Sequence, residues 1–254
     1  MSLRIAFDMD GTLADMDGAL VRQAETVFGE EFARRLRQPQ TAAPDPAAAS
    51  DEPSESQDPQ TASSTGADGT PDARLSMTPR QERSLWRHVR TVENFWETLE
   101  ETEPGIVARL AHTAAERRWE IIFLTKRPKT MGATSQIQSQ RWLVSKGFPL
   151  PSVYVVQGSR GRIAAALDID VVIDDRPENC LDVTVDSKAR VILVWRDDER
   201  SLPAGARRLG IGVVRSINEC LDVLTTLDQP GAQQDPGLLA RVRKMLGFKE
   251  QAGA

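Results

Sequence analysis

The chain has 254 residues, of which 40% are hydrophobic and 27% charged, and a formal net charge of −5. That length suits one domain, or one domain with a modest insertion, and no apolar run approaches the roughly 20 residues of a membrane-spanning helix. Residues 38–73 hold seven acidic side chains and no basic one, so removing those seven charges leaves the rest of the chain at +2. This is not the strongly basic footprint of a protein that binds a nucleic-acid polymer.

Leu3-Arg4-Ile5-Ala6-Phe7 reads as a buried first strand. Because the chain enters it within three residues, no signal peptide is expected ahead of the fold, and a cytoplasmic location follows. Residues 15–36 carry Leu20, Ala24, Val27, Phe28 and Phe32 at helical spacing. The composition then shifts abruptly. Residues 38–73 are rich in Pro, Ala, Ser, Asp and Thr and hold no aromatic, Ile, Leu, Val or Met. Such a stretch cannot bury enough apolar surface to offset its ordering entropy, and it is expected to be a disordered acidic insert. Long loops add little closure cost, so an insertion of this kind is tolerable. Helical character resumes at Thr78-Pro79, a capping hydroxyl followed by proline at the first helical position. Gln81 completes a capping box, and the helix is expected to run to about residue 92.

From Pro104 helix and strand alternate. Helices are expected at 105–117, 133–146, 159–167 and 217–227, and strands at 119–124, 152–156, 171–173, 191–195 and 212–214. Alternation of this kind implies an α/β fold with a parallel sheet and helices on both faces. Residues 231–237 read as a linker, and 238–248 as a short basic amphipathic helix. That helix either docks loosely or meets a partner, since its charges are too few for stable membrane attachment alone. The two cysteines, Cys180 and Cys220, form neither a metal-spaced cluster nor a disulfide framework and read as small buried hydrophobes. His88 and His112 lie in helical stretches and read as structural. No feature bears on oligomeric state.

Ligands of open parallel sheets collect at the carboxyl ends of the strands. After the first strand stands Asp8-Met9-Asp10-Gly11-Thr12-Leu13; after Ile121-Ile122-Phe123-Leu124 stands Thr125-Lys126-Arg127-Pro128; after Val171-Val172-Ile173 stands Asp174-Asp175. Three strands thus deliver four carboxylates, a hydroxyl and two cations to one edge. Four clustered carboxylates repel unless a cation sits among them. Oxygen ligands of this kind suit Mg²⁺, which typically keeps waters and adds a substrate phosphate oxygen.

The Asp-x-Asp-Gly-Thr sequence at Asp8–Thr12, followed in order by Leu124-Thr125 and Ile173-Asp174-Asp175, resembles the motifs of the haloacid dehalogenase (HAD) superfamily over residues 3 to about 195, the insert excepted. The resemblance implies a Rossmann-like sheet over residues 1–15 and 104–228 with a small helical cap inserted at 16–103, leaving 229–254 as linker and terminal helix. It implies a phosphatase acting through an aspartyl-phosphate on a small phosphorylated substrate. Asp8 would be the nucleophile, and Asp10 the acid that protonates the leaving alkoxide and then activates water. Gly11 would permit the tight turn that aims both acids inward and, with Thr12, would line the substrate site, and the Thr125 hydroxyl would bind phosphate. Mg²⁺ would sit among Asp8, the backbone carbonyl of Asp10, and Asp174, with Asp175 in support. One departure is plain: the family's lysine ahead of the last acidic pair is missing, since residues 147–186 contain none. Arg160 is the first substitute, Arg162 the second and Lys126 the third; arginine would grip phosphate with two hydrogen bonds where lysine offers a point charge.

Phe95-Trp96-Glu97-Thr98-Leu99-Glu100, Pro104-Gly105, Arg141-Trp142-Leu143 and Ile173-Asp174-Asp175-Arg176-Pro177-Glu178-Asn179 are further similar to the 5'(3')-deoxyribonucleotidase group. That implies nucleoside monophosphates as substrates, with Phe95 and Trp96 stacking on the base; packing between cap and core is the other reading of both rings. Lys126 and Arg127 would bind the phosphate or a second anionic group, or Arg127 would make a loop or surface contact. A sugar-phosphate phosphatase or phosphomutase uses the same nucleophile, and a non-catalytic scaffold binding a partner through the insert or tail is the reading of another class.

Overall fold

The computed structural model of the protein describes residues 2–37 and 75–228. The acidic insert at 38–73, the linker and the expected terminal basic helix lie outside the described residues. Six parallel strands, β1 (Arg4–Asp8), β4 (Glu120–Thr125), β5 (Ser152–Val155), β6 (Val171–Asp174), β7 (Arg190–Val194) and β8 (Gly212–Val214), lie in the order β5-β4-β1-β6-β7-β8. The expected α/β class is what the structure shows. β1 is central and buried on both faces, which is why it reads as an unbroken apolar run.

Side chains alternate between the two faces of the sheet. Ile5, Phe7, Ile121, Phe123, Val171 and Ile173 point to one side, where they meet Val107 and Leu110 of α4 (Ile106–Arg117), Trp142 of α5 (Ser135–Ser145) and Leu221 of α9 (Ile217–Leu227). Ala6, Leu124, Val172 and Leu193 point to the other, against Ala164 of α6 (Arg160–Ala166) and Cys180 and Val183 of α7 (Pro177–Asp186). Both thiols are buried and free.

Two of the longer helices depart from the sequence reading. The single helix expected over 15–36 is two, α1 (Met16–Phe28) and α2 (Glu30–Arg37). Gly29 breaks it with φ +89°, a conformation glycine adopts without a Cβ penalty. The helix α7 was not expected, although it opens on proline at its first position with Glu178 in its first turn and buries Pro177, Cys180 and Val183 at three-residue spacing. The capping box of α3 (Pro79–Val89) is present as expected: Gln81 N donates to Thr78 Oγ1 at 3.3 Å and Thr78 N to Gln81 Oε1 at 2.9 Å.

The chain between β1 and β4 leaves and rejoins the core through a two-stranded antiparallel ribbon, β2 (Ala14–Asp15) with β3 (Glu100–Glu101). Its helices α1 and α3 are joined by a contact of His88 Nε2 with Gln23 Oε1 at 3.0 Å, and with the turn at Phe95–Glu97 they share one apolar core with the sheet through Leu20, Leu85, Trp86, Phe95 and Trp96. His112 is exposed and lies 3.3 Å from Glu116. Among the described residues no helix is long and apolar enough to cross a membrane.

Candidate active site

The strand register decides which side chains meet. Asp8 pairs with Leu124, Phe7 with Ile173, and Asp174 with Leu193, so Asp8, Thr125 and Asp174 finish at one edge of three adjacent strands. Beyond Asp8 the chain turns back tightly: Leu13 N and Ala14 N both donate to Met9 O at 2.8 Å, and Gly11 N donates to Ala14 O at 2.9 Å. Gly11 sits at φ +84°, and a Cβ there would lie 2.3 Å from Asp175 Oδ2. Glycine is therefore needed twice, for the backbone and for the approach of Asp175, which also accepts from Thr12 Oγ1 at 3.3 Å. Gly11→Ala is expected to destabilise the fold by about 1–3 kcal/mol, the usual cost of one strained residue, and to displace Asp175. Thermal denaturation and metal titration of the variant check both effects.

Asp8, Asp174 and Asp175 are buried, and one oxygen of each lies within 4.8 Å of the others. Arg160 bridges two of them, with Nη2 2.6 Å from Asp8 Oδ1 and Nη1 3.0 Å from Asp174 Oδ2. Asp174 Oδ1 also accepts from Arg176 N at 2.9 Å and Asn179 Nδ2 at 3.1 Å. Burial pushes the Asp8 carboxyl well above the usual carboxylate range; Arg160 pulls it back, while Asp174, Asp175 and Asp10 push it further up. Against the opposing effect of burial, Asp8 and Asp174 hold the Arg160 guanidinium above its ordinary range. Burial likewise raises the Cys180 thiol, with the Asp174 charge second.

A second ion pair stands beside the first. Asp10 accepts from Arg127 twice, Nη2 to Oδ1 at 2.6 Å and Nε to Oδ2 at 2.9 Å, and from Thr125 Oγ1 at 2.9 Å. Arg127 is 1% exposed. Its Nη1 donates to Ser139 Oγ at 2.8 Å, and its guanidinium lies 4.7 Å from the centre of the Trp96 ring.

The structure thus brings together Asp8, Asp10, Gly11, Thr12, Thr125, Arg127, Arg160, Asp174 and Asp175. Lys126 is half-buried between Thr125 and Arg127. Arg162 is turned away: its side chain is 84% exposed and lies 3.6 Å from Asp186. Phe95 and Trp96, expected either to stack on a base or to pack between cap and core, are both 0% exposed. Trp96 contacts Phe95 edge-on, Trp86 and Arg127, and its Nε1 donates to Pro128 O at 3.0 Å. The packing reading is the one the structure shows. Arg127, expected to bind an anion or to make a loop or surface contact, has its side chain buried on Asp10 in the turn after β1.

Sequence reasoning missed Ser139 and Arg196. Arg196 donates to Gly11 O at 2.6 Å and Thr12 O at 3.1 Å, and Nη2 reaches Glu103 Oε1 at 3.3 Å. Glu103 in turn accepts from Ile217 N and Asn218 N at the start of α9. The signal for Arg196 was present: it follows the expected strand 191–195 directly, at the same sheet edge.

The donor set suits a hard divalent cation. Asp8, Asp174 and Asp175 offer clustered carboxylate oxygens, the hard donors that such an ion takes. The side chains of Asp8, Asp174 and Asp175 could hold such an ion, whereas the Asp10 carboxylate is turned to Arg127.

No protein-family model matches the chain, and no curated protein matches it in sequence. Among solved structures it is similar to a crystal structure of a haloacid dehalogenase-like family hydrolase from Xanthomonas campestris, at 16% identity and a TM-score of 0.45 over 89% of this chain and 96% of that one. At that identity and TM-score the likeness assigns no residue a role and the chain no activity.

Proposed function

We propose that the protein is a Mg²⁺-dependent phosphatase of the HAD type, acting on a small phosphomonoester through an aspartyl-phosphate on Asp8. The observation that carries this reading is the buried Asp8, Asp174 and Asp175 cluster at the carboxyl edge of β1 and β6, bridged by Arg160. An Asp8 carboxylate oxygen attacks phosphorus as the bond to the leaving oxygen breaks, and Asp10 delivers its proton to that oxygen. Asp10 then takes a proton from water, whose oxygen attacks the phosphoryl group, releasing phosphate and restoring Asp8. Arg160 orients the Asp8 carboxylate and balances its charge. Bound Mg²⁺, held by Asp8, Asp174 and Asp175, would neutralise charge on the phosphoryl oxygens.

Within this class nucleoside monophosphates are the first substrates to test, on the motif resemblance alone, since Phe95 and Trp96 present no open face to a base. The two buried free thiols suit the cytoplasmic setting that belongs to the same proposal. The test is phosphate release from nucleotides and sugar phosphates, with Mg²⁺ and with chelator. Chelator-sensitive release is expected, strongest for one class. Transfer to a sugar acceptor in place of water would make the protein a phosphomutase. No release from any substrate by folded protein would overturn the enzymatic reading in favour of a scaffold.

A further inference from the structure

We propose that Arg127 is a positioning residue, which fixes the direction of the Asp10 carboxyl and does not itself bind phosphate. The inference rests on the phosphatase reading above and deepens it.

A buried guanidinium–carboxylate pair is poor evidence of a stability role, because well-packed apolar side chains of similar volume serve stability as well or better. What such a pair supplies is geometry. Arg127 takes both Asp10 oxygens in one fork, and Thr125 Oγ1 adds a third contact. The fork is itself held. Ser139 Oγ accepts from Nη1 while donating to Ser135 O at 2.7 Å, which fixes the direction of its lone pairs. The Trp96 ring lies against the guanidinium, and Trp96 is fixed by Pro128 O through Nε1 and by Gln138 Oε1 through its backbone N–H. Four segments therefore set one carboxyl: the turn after β1, the loop after β4, α5 and the turn at Phe95–Glu97. With 1% of Arg127 exposed, none of its donors is left at a surface that a phosphate could reach.

A group that aims a general acid matters most where the leaving oxygen needs a proton. An alkyl phosphate does; para-nitrophenyl phosphate, whose phenolate departs readily, does not. Arg127→Met is expected to lower kcat about 100-fold on glycerol 2-phosphate, the scale of general acid catalysis, and less than about fivefold on para-nitrophenyl phosphate. KM should stay within about twofold on both, because binding is not what the residue provides. Arg127→Lys keeps the charge and loses the fork, so it should resemble Arg127→Met and not the wild type. Ser139→Ala removes one anchor, and a selective loss of about three- to tenfold on the alkyl ester is expected; this milder variant decides the matter where the Arg127 variants do not fold. Equal losses on the two esters, a raised KM with kcat kept, or full activity of Arg127→Lys would overturn the inference while the phosphatase reading stands. An unselective Ser139→Ala would do the same. Failure of the wild-type protein to release phosphate from either ester would overturn the phosphatase reading, and this inference with it.

Discussion

Asp8→Asn is expected to abolish phosphate release, by a factor on the order of 10⁴ or more, and at the same time to raise the thermal midpoint of the protein in chelator. The first effect follows from removing the attacking oxygen. The second follows from the site's electrostatics. Burial, with Asp174, Asp175 and Asp10 nearby, raises the Asp8 carboxyl well above its usual range despite Arg160. A carboxyl raised in the folded state disfavours folding wherever the unfolded chain would ionise it, that is, above the ordinary carboxylate range. Asparagine removes that cost, and Arg160 keeps a partner in Asp174 at 3.0 Å. For a domain of this size each kcal/mol gained moves the midpoint by about 2–4 °C. The gain should be largest near neutral pH and shrink as pH falls through about 4, where Asp8 of the unfolded chain is itself protonated. Saturating Mg²⁺ should reverse the order, because an ion held by Asp8 stabilises only the wild type. Melting curves of both proteins at two pH values, with chelator and with Mg²⁺, test this. A variant less stable than wild type in chelator at neutral pH would count against it.

Arg160→Ala is expected to be the most damaging loss of a positive charge. It leaves the buried Asp8 and Asp174 without the guanidinium that bridges them, and stranding a buried charge typically costs about 3–5 kcal/mol. Turnover should fall about 10²- to 10³-fold, as when one preorganised donor is removed from a reacting site. Mg²⁺ should restore part of the stability and little of the rate, because the ion replaces the charge and not the donor geometry. Arg162→Ala is the control: the side chain is exposed beside Asp186, and neither midpoint nor kcat should change measurably. Equal, small effects of the two substitutions would sink the assignment of Arg160.

The choice between these arginines shows where reading the chain stops. Both lie on one short stretch with the same chemistry, and which of them enters the site depends on where α6 begins. Ser159 caps that helix by accepting from Arg162 N, which places Arg160 first and turns it inward while Arg162 faces solvent. Gly29 is similar. Apolar spacing continues across it, so periodicity alone joins α1 to α2, and only the positive φ separates them.

What the sequence determined by itself is what depends on near neighbours along the chain. Apolar runs make the strands, Thr78, Pro79 and Gln81 start α3, and an acid or hydroxyl placed directly after a strand must stand at the sheet's carboxyl edge. That is why Asp8, Asp10, Thr125, Asp174 and Asp175 were legible. The tertiary structure decided what those side chains touch. Asp10 and Arg127 are 117 residues apart, Arg196 reaches Gly11 across 185, and Trp96 meets Gln138 across 42. A tryptophan or an arginine has the same composition whether it faces a ligand or fills a core. Only the elements that close over it settle which, because burial and ion pairing are properties of the space around a side chain and not of its place in the chain.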